Sequence, residues 1–253
     1  MILVVLASGR GKRLENLTKQ KPKCLINISN KFTLLDGISR NFKFFKKVVI
    51  VTGYKNHLIE KKLNFKNLVF IKNKKYFNTN MVESLFLTKN EIKNEDILIT
   101  YADIFFDTKI LINLIKIKKN IIPLKKNWYQ SWKARYKSLT KIKKDAENVI
   151  VRKKKILSIG GKIKKKLPKF QYMGIVRINN STFKKMHKFY KVLGMKNISF
   201  THFIDKLIQN KVAEFNFLST ERFWYEVDNK KDLTYLKKNI NDHLSLAKKA
   251  TLV

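Results

Sequence analysis

Four short runs of almost purely β-branched and aliphatic residues punctuate the first hundred positions: Ile2 to Leu6 (ILVVL), Val48 to Thr52 (VVIVT), Leu68 to Ile71 (LVFI) and Ile97 to Thr100 (ILIT). None alternates polar with apolar, so each reads as a strand buried on both faces. Between and after them lie amphipathic stretches read as helices, over Leu34 to Phe45, His57 to Lys62, Asn80 to Ile92 and Thr108 to Lys119. Strands alternating with helices imply βαβ units, a mostly parallel sheet in an α/β fold, and ligands bound outside the carboxyl ends of the strands.

From about Trp128 the pattern changes to lysine-rich short strands and turns, VIVRKKKILSIGGKIKKK among them, with Gly160-Gly161 as the expected hairpin tip. Phe170 to Ile178 resumes a strand, and helices follow near Ser181 to Val192 and Phe200 to Asn210. Val212 to Phe217 and Arg222 to Val227 read as closing strands before a helix from Lys230. No internal repeat or proline-rich linker appears. The expectation is one domain over 1–240 with a small inserted β-rich lobe at roughly 126–175, and a fraying tail at 241–253.

With 56 lysines and arginines against 18 acids, the formal net charge of the 253-residue chain is +38, a balance that raises nucleic acid as a partner. The lysines fall in nearly every segment rather than in one stripe, alongside abundant Asn, Ile and Phe, which AT-rich codons specify. The excess therefore reads as compositional bias, with no specific nucleic-acid partner expected. One cysteine, Cys24, excludes an intramolecular disulfide. No run reaches the roughly 18 apolar residues of a membrane helix. Met1 to Ala7 has no basic segment before it and turns basic where a signal peptide would be cleaved, so a cytoplasmic protein is expected.

Four stretches can carry chemistry. The first strand runs into Ser8-Gly9-Arg10-Gly11-Lys12-Arg13. Glycines let backbone N–H groups close on phosphate oxygens, and Arg10, Lys12 and Arg13 can neutralise their charge. One residue separates the glycines, so this is neither a Walker A loop nor a complete GxGxxG, and an ordinary strand-to-helix turn stays open. Lys23 follows behind Pro22, which biases its predecessor toward extended backbone; the motif is either a surface turn or a lysine held in place. ILITYADIFFD puts Asp103 at a strand's carboxyl end, where it could hold Mg²⁺ or cap a helix. In FWYEVDNKKDL, period-two alternation sends Glu226 and Asp228 to one face, and two adjacent carboxylates repel unless a cation joins them.

Taken together these stretches resemble the nucleoside-diphosphate-sugar pyrophosphorylase-like nucleotidyltransferases, whose first loop reads L-A-x-G-x-G-x-R-x(n)-P-K and stands here as LASGRGKRLENLTKQKPK. Within that superfamily the chain is similar to small cytidylyltransferases acting on phosphocholine, phosphonates such as 2-aminoethylphosphonate, or phosphoglutamine. NTNMVESLF, TYADI, WYQSWKAR with the later DAE, QYMGI and YEVD extend the likeness from residue 3 to residue 233.

The resemblance implies a Rossmann-like, GT-A type sheet flanked by helices, and transfer of CMP from CTP to a small phosphorylated acceptor with Mg²⁺ as cofactor. It carries over Gly9, Arg10, Gly11 and Arg13 as the triphosphate loop, with Lys23 reaching the α-phosphate or the acceptor phosphate; Arg10, Arg13 and Lys23 are the catalytic cations. Nucleotide contact extends to Leu6, Ala7, Ser8, Lys12, Gly53, Asn80, Tyr101, Ala102 and Asp103. Asp103, Asp228 and Glu226 are the metal carboxylates. Asn80, Met81, Ser84, Trp128, Trp132, Arg135, Asp145, Glu147 and Tyr172 fall on the acceptor side, although Trp128 and Trp132, four apart, would also suit a packed helix face. Asp145 or Glu147 would pair an acceptor ammonium and Arg135 its carboxylate. Two departures stand out: Ser8 replaces a usual alanine, and WKARYKSLTKIKKDAE carries basic residues where relatives have a shorter turn. The oligomeric state is open, a homodimer being one alternative. A sugar-1-phosphate nucleotidyltransferase, a GT-A glycosyltransferase and a basic nucleic-acid-binding protein are the rival readings.

Overall fold

The computed structural model of the chain describes residues 1–164, 166–241 and 243. The strands are β1 (Ile2–Ala7), β2 (Asn27–Ser29), β3 (Phe32–Thr33), β4 (Lys47–Thr52), β5 (Leu68–Lys72), β6 (Ile97–Tyr101), β7 (Ile104–Phe106), β8 (Ile121–Lys125), β9 (Val149–Arg152), β10 (Lys155–Ile159), β11 (Gln171–Tyr172), β12 (Ile175–Ile178), β13 (Asn216–Thr220) and β14 (Trp224–Glu226). The helices are α1 (Leu34–Ser39), α2 (Asn56–Lys62), α3 (Met81–Phe86), α4 (Lys89–Ile92), α5 (Lys109–Ile115), α6 (Trp128–Arg135), α7 (Leu139–Asp145), α8 (Asn180–Leu193), α9 (Phe200–Gln209) and α10 (Lys230–Asn239).

The wholly apolar runs occupy the middle of one sheet, ordered β5-β4-β1-β6-β12-β8-β13-β10-β9, with β11 paired to β8 off that path. β5, β4, β1 and β6 are mutually parallel, β12 is antiparallel to β6 and β8, and β13 again runs parallel to β8. Helices cover the sheet, which explains why Leu3, Val4, Val5, Val48 to Ile50 and Ile97 to Ile99 are all inaccessible to water: a strand buried on both faces has no use for polar alternation. This is the mixed, mostly parallel α/β sheet that the alternation of elements implies.

Several expectations shift. The expected helix Leu34 to Phe45 stops at Ser39, and the expected helix Asn80 to Ile92 divides into α3 and α4 at Leu87-Thr88. The region from Trp128, expected to turn at once to short strands, first makes α6 and α7. The tip of the β9–β10 hairpin is Lys153-Lys154, both in the left-handed region (φ 45 and 64), not Gly160-Gly161. Two consecutive positive φ values match the strands' right-handed twist, and here lysines tolerate them. The glycines sit at the open end, where Gly160 donates to Asn148 O and Gly161 O accepts from Asn148 N. β10 pairs with β13, so this hairpin extends the central sheet. The tail expected from 241 lies outside the described residues except at 241 and 243.

Candidate active site

The carboxyl ends of β1 and β6 face one solvent-open cleft of about 160 Å³, walled opposite by Tyr76 and Thr79 to Met81. Its first wall is the loop after β1. Gly11 lies at φ 76, and a Cβ there would stand 2.8 Å from the Lys23 Cβ, so both the backbone and the contact require glycine. Thr18 closes the loop by donating to Gly11 O (3.0 Å) and Glu15 O (3.2 Å). Pro22, extended at ψ 154, then starts the single turn Lys23–Leu25 that aims Lys23 inward.

β14 pairs antiparallel with β7 in the register Glu226 opposite Ile104, and Val227 N donates to Asp103 O at 3.0 Å. That pairing brings the end of β6 to the end of β14. The Lys23 Nζ donates to Asp103 Oδ2 and to Asp228 Oδ1, both at 2.6 Å, and Arg13 meets Asp228 Oδ2 at 2.9 Å. Asp103, Glu226 and Asp228 each offer an oxygen, all within 4.8 Å of one another.

The electrostatics follow. Burial works against the charges of Lys23 and Asp228, but attraction prevails: Asp103 and then Asp228 raise the Lys23 ammonium above its ordinary value, and Lys23 and then Arg13 hold Asp228 below the usual carboxylate range. Glu226 is pushed well above that range by burial and by the neighbouring Asp228 and Asp103. Burial likewise drives the Cys24 thiol up to about 12, so it stays a neutral wall residue. Asp103 Oδ1 is buried with no hydrogen-bond partner. An orphaned carboxylate oxygen between two further acids is a donor set suited to a hard divalent cation.

The remaining sequence-predicted residues separate into groups. Leu6, Ala7, Ser8 and Gly9 line the cleft with Asn80, Met81, Ser84, Tyr101 and Ala102. Gly53 lies behind Ser8: a Cβ there would stand 2.6 Å from Ser8 O. Arg10 turns away from the carboxylates, its guanidinium 5.5 Å above the Tyr54 ring, and Lys12 is exposed. Ser84, expected on the acceptor side, stands beside Ser8 at 3.3 Å.

Trp128, Trp132, Arg135 and Asp145 assemble behind β14. Trp128 is buried and donates to Pro168 O at 3.1 Å; Trp132 stacks on Trp224 with centroids 5.9 Å apart and donates to Asp145 at 2.9 Å. Arg135 lies 4.1 Å over the Trp132 ring and pairs with Asp232 at 2.5 Å. Both oxygens of Asp145 are engaged, the second by Tyr136 at 3.0 Å. Glu147 accepts from Thr201 at 2.8 Å and is raised by burial, and the buried Tyr172 ring meets Tyr101 edge-on at 5.9 Å.

Asp232 is the residue that sequence reasoning missed. Its other oxygen accepts from Asp228 N (2.9 Å) and Asn229 N (3.0 Å), so it anchors the backbone of a cluster carboxylate to Arg135. The signal was present: Asn229-x-x-Asp232 spells a capping box at the start of α10. Asn73, Tyr76 and Thr79, also unflagged, form another part of the cleft and its support.

A model of the nucleotidyl transferase family matches residues 2–243. The CTP:phosphoglutamine cytidylyltransferase of Campylobacter jejuni is 28% identical, the match covering 92% of this chain and 98% of that protein. A bifunctional sugar-1-phosphate nucleotidylyltransferase/acetyltransferase of Sulfurisphaera tokodaii is 30% identical, over 47% of this chain and 29% of its own. The structure of the inositol-1-phosphate CTP transferase from T. maritima superposes with a TM-score of 0.75 at 19% identity, covering 95% of this chain and 96% of that one. That of the CTP:phosphocholine cytidylyltransferase from Streptococcus pneumoniae gives 0.73 at 18%, covering 95% and 99%.

Proposed function

The chain belongs to the nucleotidyl transferase family, and from that premise we propose that it is a cytidylyltransferase, moving CMP from CTP to a small phosphorylated acceptor and releasing pyrophosphate. The observation that carries this reading is the convergence of Lys23 and Arg13 on Asp103 and Asp228 at the mouth of a cleft floored by a glycine loop. Support for cytidine over other nucleotides comes from the full-length likeness to the Campylobacter jejuni enzyme, whose acceptor, phosphoglutamine, is the first candidate here.

An acceptor phosphate oxygen already carries negative charge at pH 7, so no general base is needed. It attacks the α-phosphorus, a new P–O bond forms to the acceptor, and the bond to the β-phosphate oxygen breaks as pyrophosphate departs. The obstacle is bringing one anion onto another, which cations and positioning overcome. Lys23 is the group nearest the cluster and supplies charge to the α-phosphate; Arg13 neutralises the departing phosphates, and Arg10 does so from the outer side of the loop. Asp103, Asp228 and Glu226 would hold Mg²⁺, which when bound supplies charge neutralisation across phosphate oxygens.

On the acceptor side, Arg135 and Asp145 are spent on Asp232, Trp132 and Tyr136. Glu147 is therefore the carboxylate left for an acceptor ammonium, next to Tyr172. The enzyme would work in the cytoplasm, where CTP is made, and its product would supply surface polysaccharide or lipid decoration.

The test is purified protein with CTP and Mg²⁺ against phosphoglutamine, phosphocholine, 2-aminoethylphosphonate and sugar 1-phosphates, read as pyrophosphate release. Turnover with phosphoglutamine is expected. Release only with a sugar 1-phosphate would replace the acceptor, and no release with any of them would end the reading.

A further inference from the structure

β14 is three residues long and pairs with β7, itself three residues long, in a sheet of their own. Strands so short hardly set their own register, and a slip of one residue would turn Glu226 to the opposite face. What fixes the register lies at the ends. Beyond β14 stand the Val227 N–Asp103 O bond and the Asp232 cap. Before it comes the turn Glu221 to Phe223, where the chain leaves β13 of the central sheet.

Three ties hold that turn. Phe223 O accepts from Asp107 N at 3.1 Å, and Arg222 meets Asp107 Oδ2 at 3.0 Å, both linking the turn to the end of β7. The third tie comes from the central sheet. Lys125, the last residue of β8 and directly opposite Thr220, donates from Nζ to Glu221 O and to Arg222 O, each at 2.7 Å. The ladder of β13 stops at Thr220 and that of β14 begins at Trp224, so neither carbonyl has a strand partner.

Lys125 is 5% exposed, and no carboxylate is matched to it: Glu221 pairs its own with the exposed Lys126 at 2.7 Å. Burial accordingly pushes the Lys125 ammonium down to about 8, with Glu221 opposing. A buried ammonium held by carbonyls alone burdens the fold. The four residues before it in β8, Ile121 to Leu124, are buried and apolar, and a methionine would continue that run without the charge. The central sheet does not need this ammonium; the turn does.

We propose that Lys125 is a positioning residue for the metal carboxylates: through the carbonyls of Glu221 and Arg222 it fixes where β14 enters its pairing with β7, and so where Glu226 and Asp228 stand relative to Asp103. The inference rests on the reading that these three carboxylates hold the divalent cation. Lys125 does not line the cleft, so its effect travels through the backbone from Glu221 to Asp228.

The probe is Mn²⁺, titrated into nucleotide-free protein and followed by the EPR signal of the free ion, on wild type, Lys125→Met and Lys125→Gln. Lys125→Met should bind Mn²⁺ about tenfold more weakly and lose about tenfold in kcat for pyrophosphate release from CTP and phosphoglutamine, while the KM for CTP stays within about twofold. Its denaturation midpoint should equal or exceed that of wild type, since the buried charge is gone. A packing role would lower the midpoint and leave the Mn²⁺ affinity alone. That result, or wild-type Mn²⁺ affinity in the folded variant, overturns the proposal. Should Lys125→Met not fold, Lys125→Gln decides by the same criterion, and failure of both to fold makes Lys125 a structural residue and overturns the proposal as well. Wild type that binds no Mn²⁺ overturns the metal reading on which it rests.

Discussion

Arg13 and Arg135 both pair with aspartates that follow β14, yet they serve different ends. Arg13 meets Asp228 while 64% of its side chain stays in solvent; Arg135 meets Asp232 with 6% and 1% of the two side chains exposed. On the loop side of the cleft, charge is held by backbone geometry and left exchangeable. On the α6 side, charge is neutralised inside the protein and anchors Asp228 through its backbone. The exposed Arg13–Asp228 pair surrenders its partner to an anionic ligand cheaply, and the buried Arg135–Asp232 pair does not.

The contrast can be broken experimentally, starting where the effect is largest. Asp103→Asn or Asp228→Asn should lower turnover by roughly a thousandfold with melting temperature little changed, because the carboxylates serve the transferred phosphoryl group and not the core. Near-normal activity would remove them from the metal site. Lys23→Ala should cut kcat by about a hundredfold and weaken CTP binding by less than tenfold, measured by single-turnover kinetics and titration. A pure loss of CTP affinity would contradict the role given to it.

Asp232→Ala should behave oppositely. It leaves Arg135 buried and unpaired, and chemical denaturation should show a loss of about 3–5 kcal/mol. Stability close to wild type would mean that the two arginines do not differ as described. Gly11→Ala should cost about 1–3 kcal/mol through its left-handed backbone and the contact with Lys23, whereas Gly9→Ala, whose Cβ meets nothing within 4 Å, should leave stability almost unchanged. Denaturation midpoints of the pair separate strain from simple loss of flexibility.

Much of the fold was legible because burial on both faces of a strand leaves a plain mark: ILVVL and ILIT can hardly be anything but central strands. The same logic failed after Trp128. There α6 alternates tryptophans with charged and polar residues, and its apolar face consists mainly of Trp128 and Trp132, so the helix was visible only as a spacing of four. The hairpin tip was misplaced because glycine is the usual residue at positive φ, and two lysines took the turn instead. At the site, Lys23, Asp103 and Asp228 were readable as chemical types at strand and loop ends. Asp232 was not, because its work begins as an ordinary helix cap.

By itself the sequence determined which segments become strands, that their carboxyl ends present a glycine loop and carboxylates, and that cations crowd the same edge. Only the tertiary structure decided which of those cations are available. Lys23 and Asp228 lie 205 positions apart, and no local pattern links them until β14 pairs with β7. Likewise Arg135 looked free to meet a ligand until Asp232 arrived from α10.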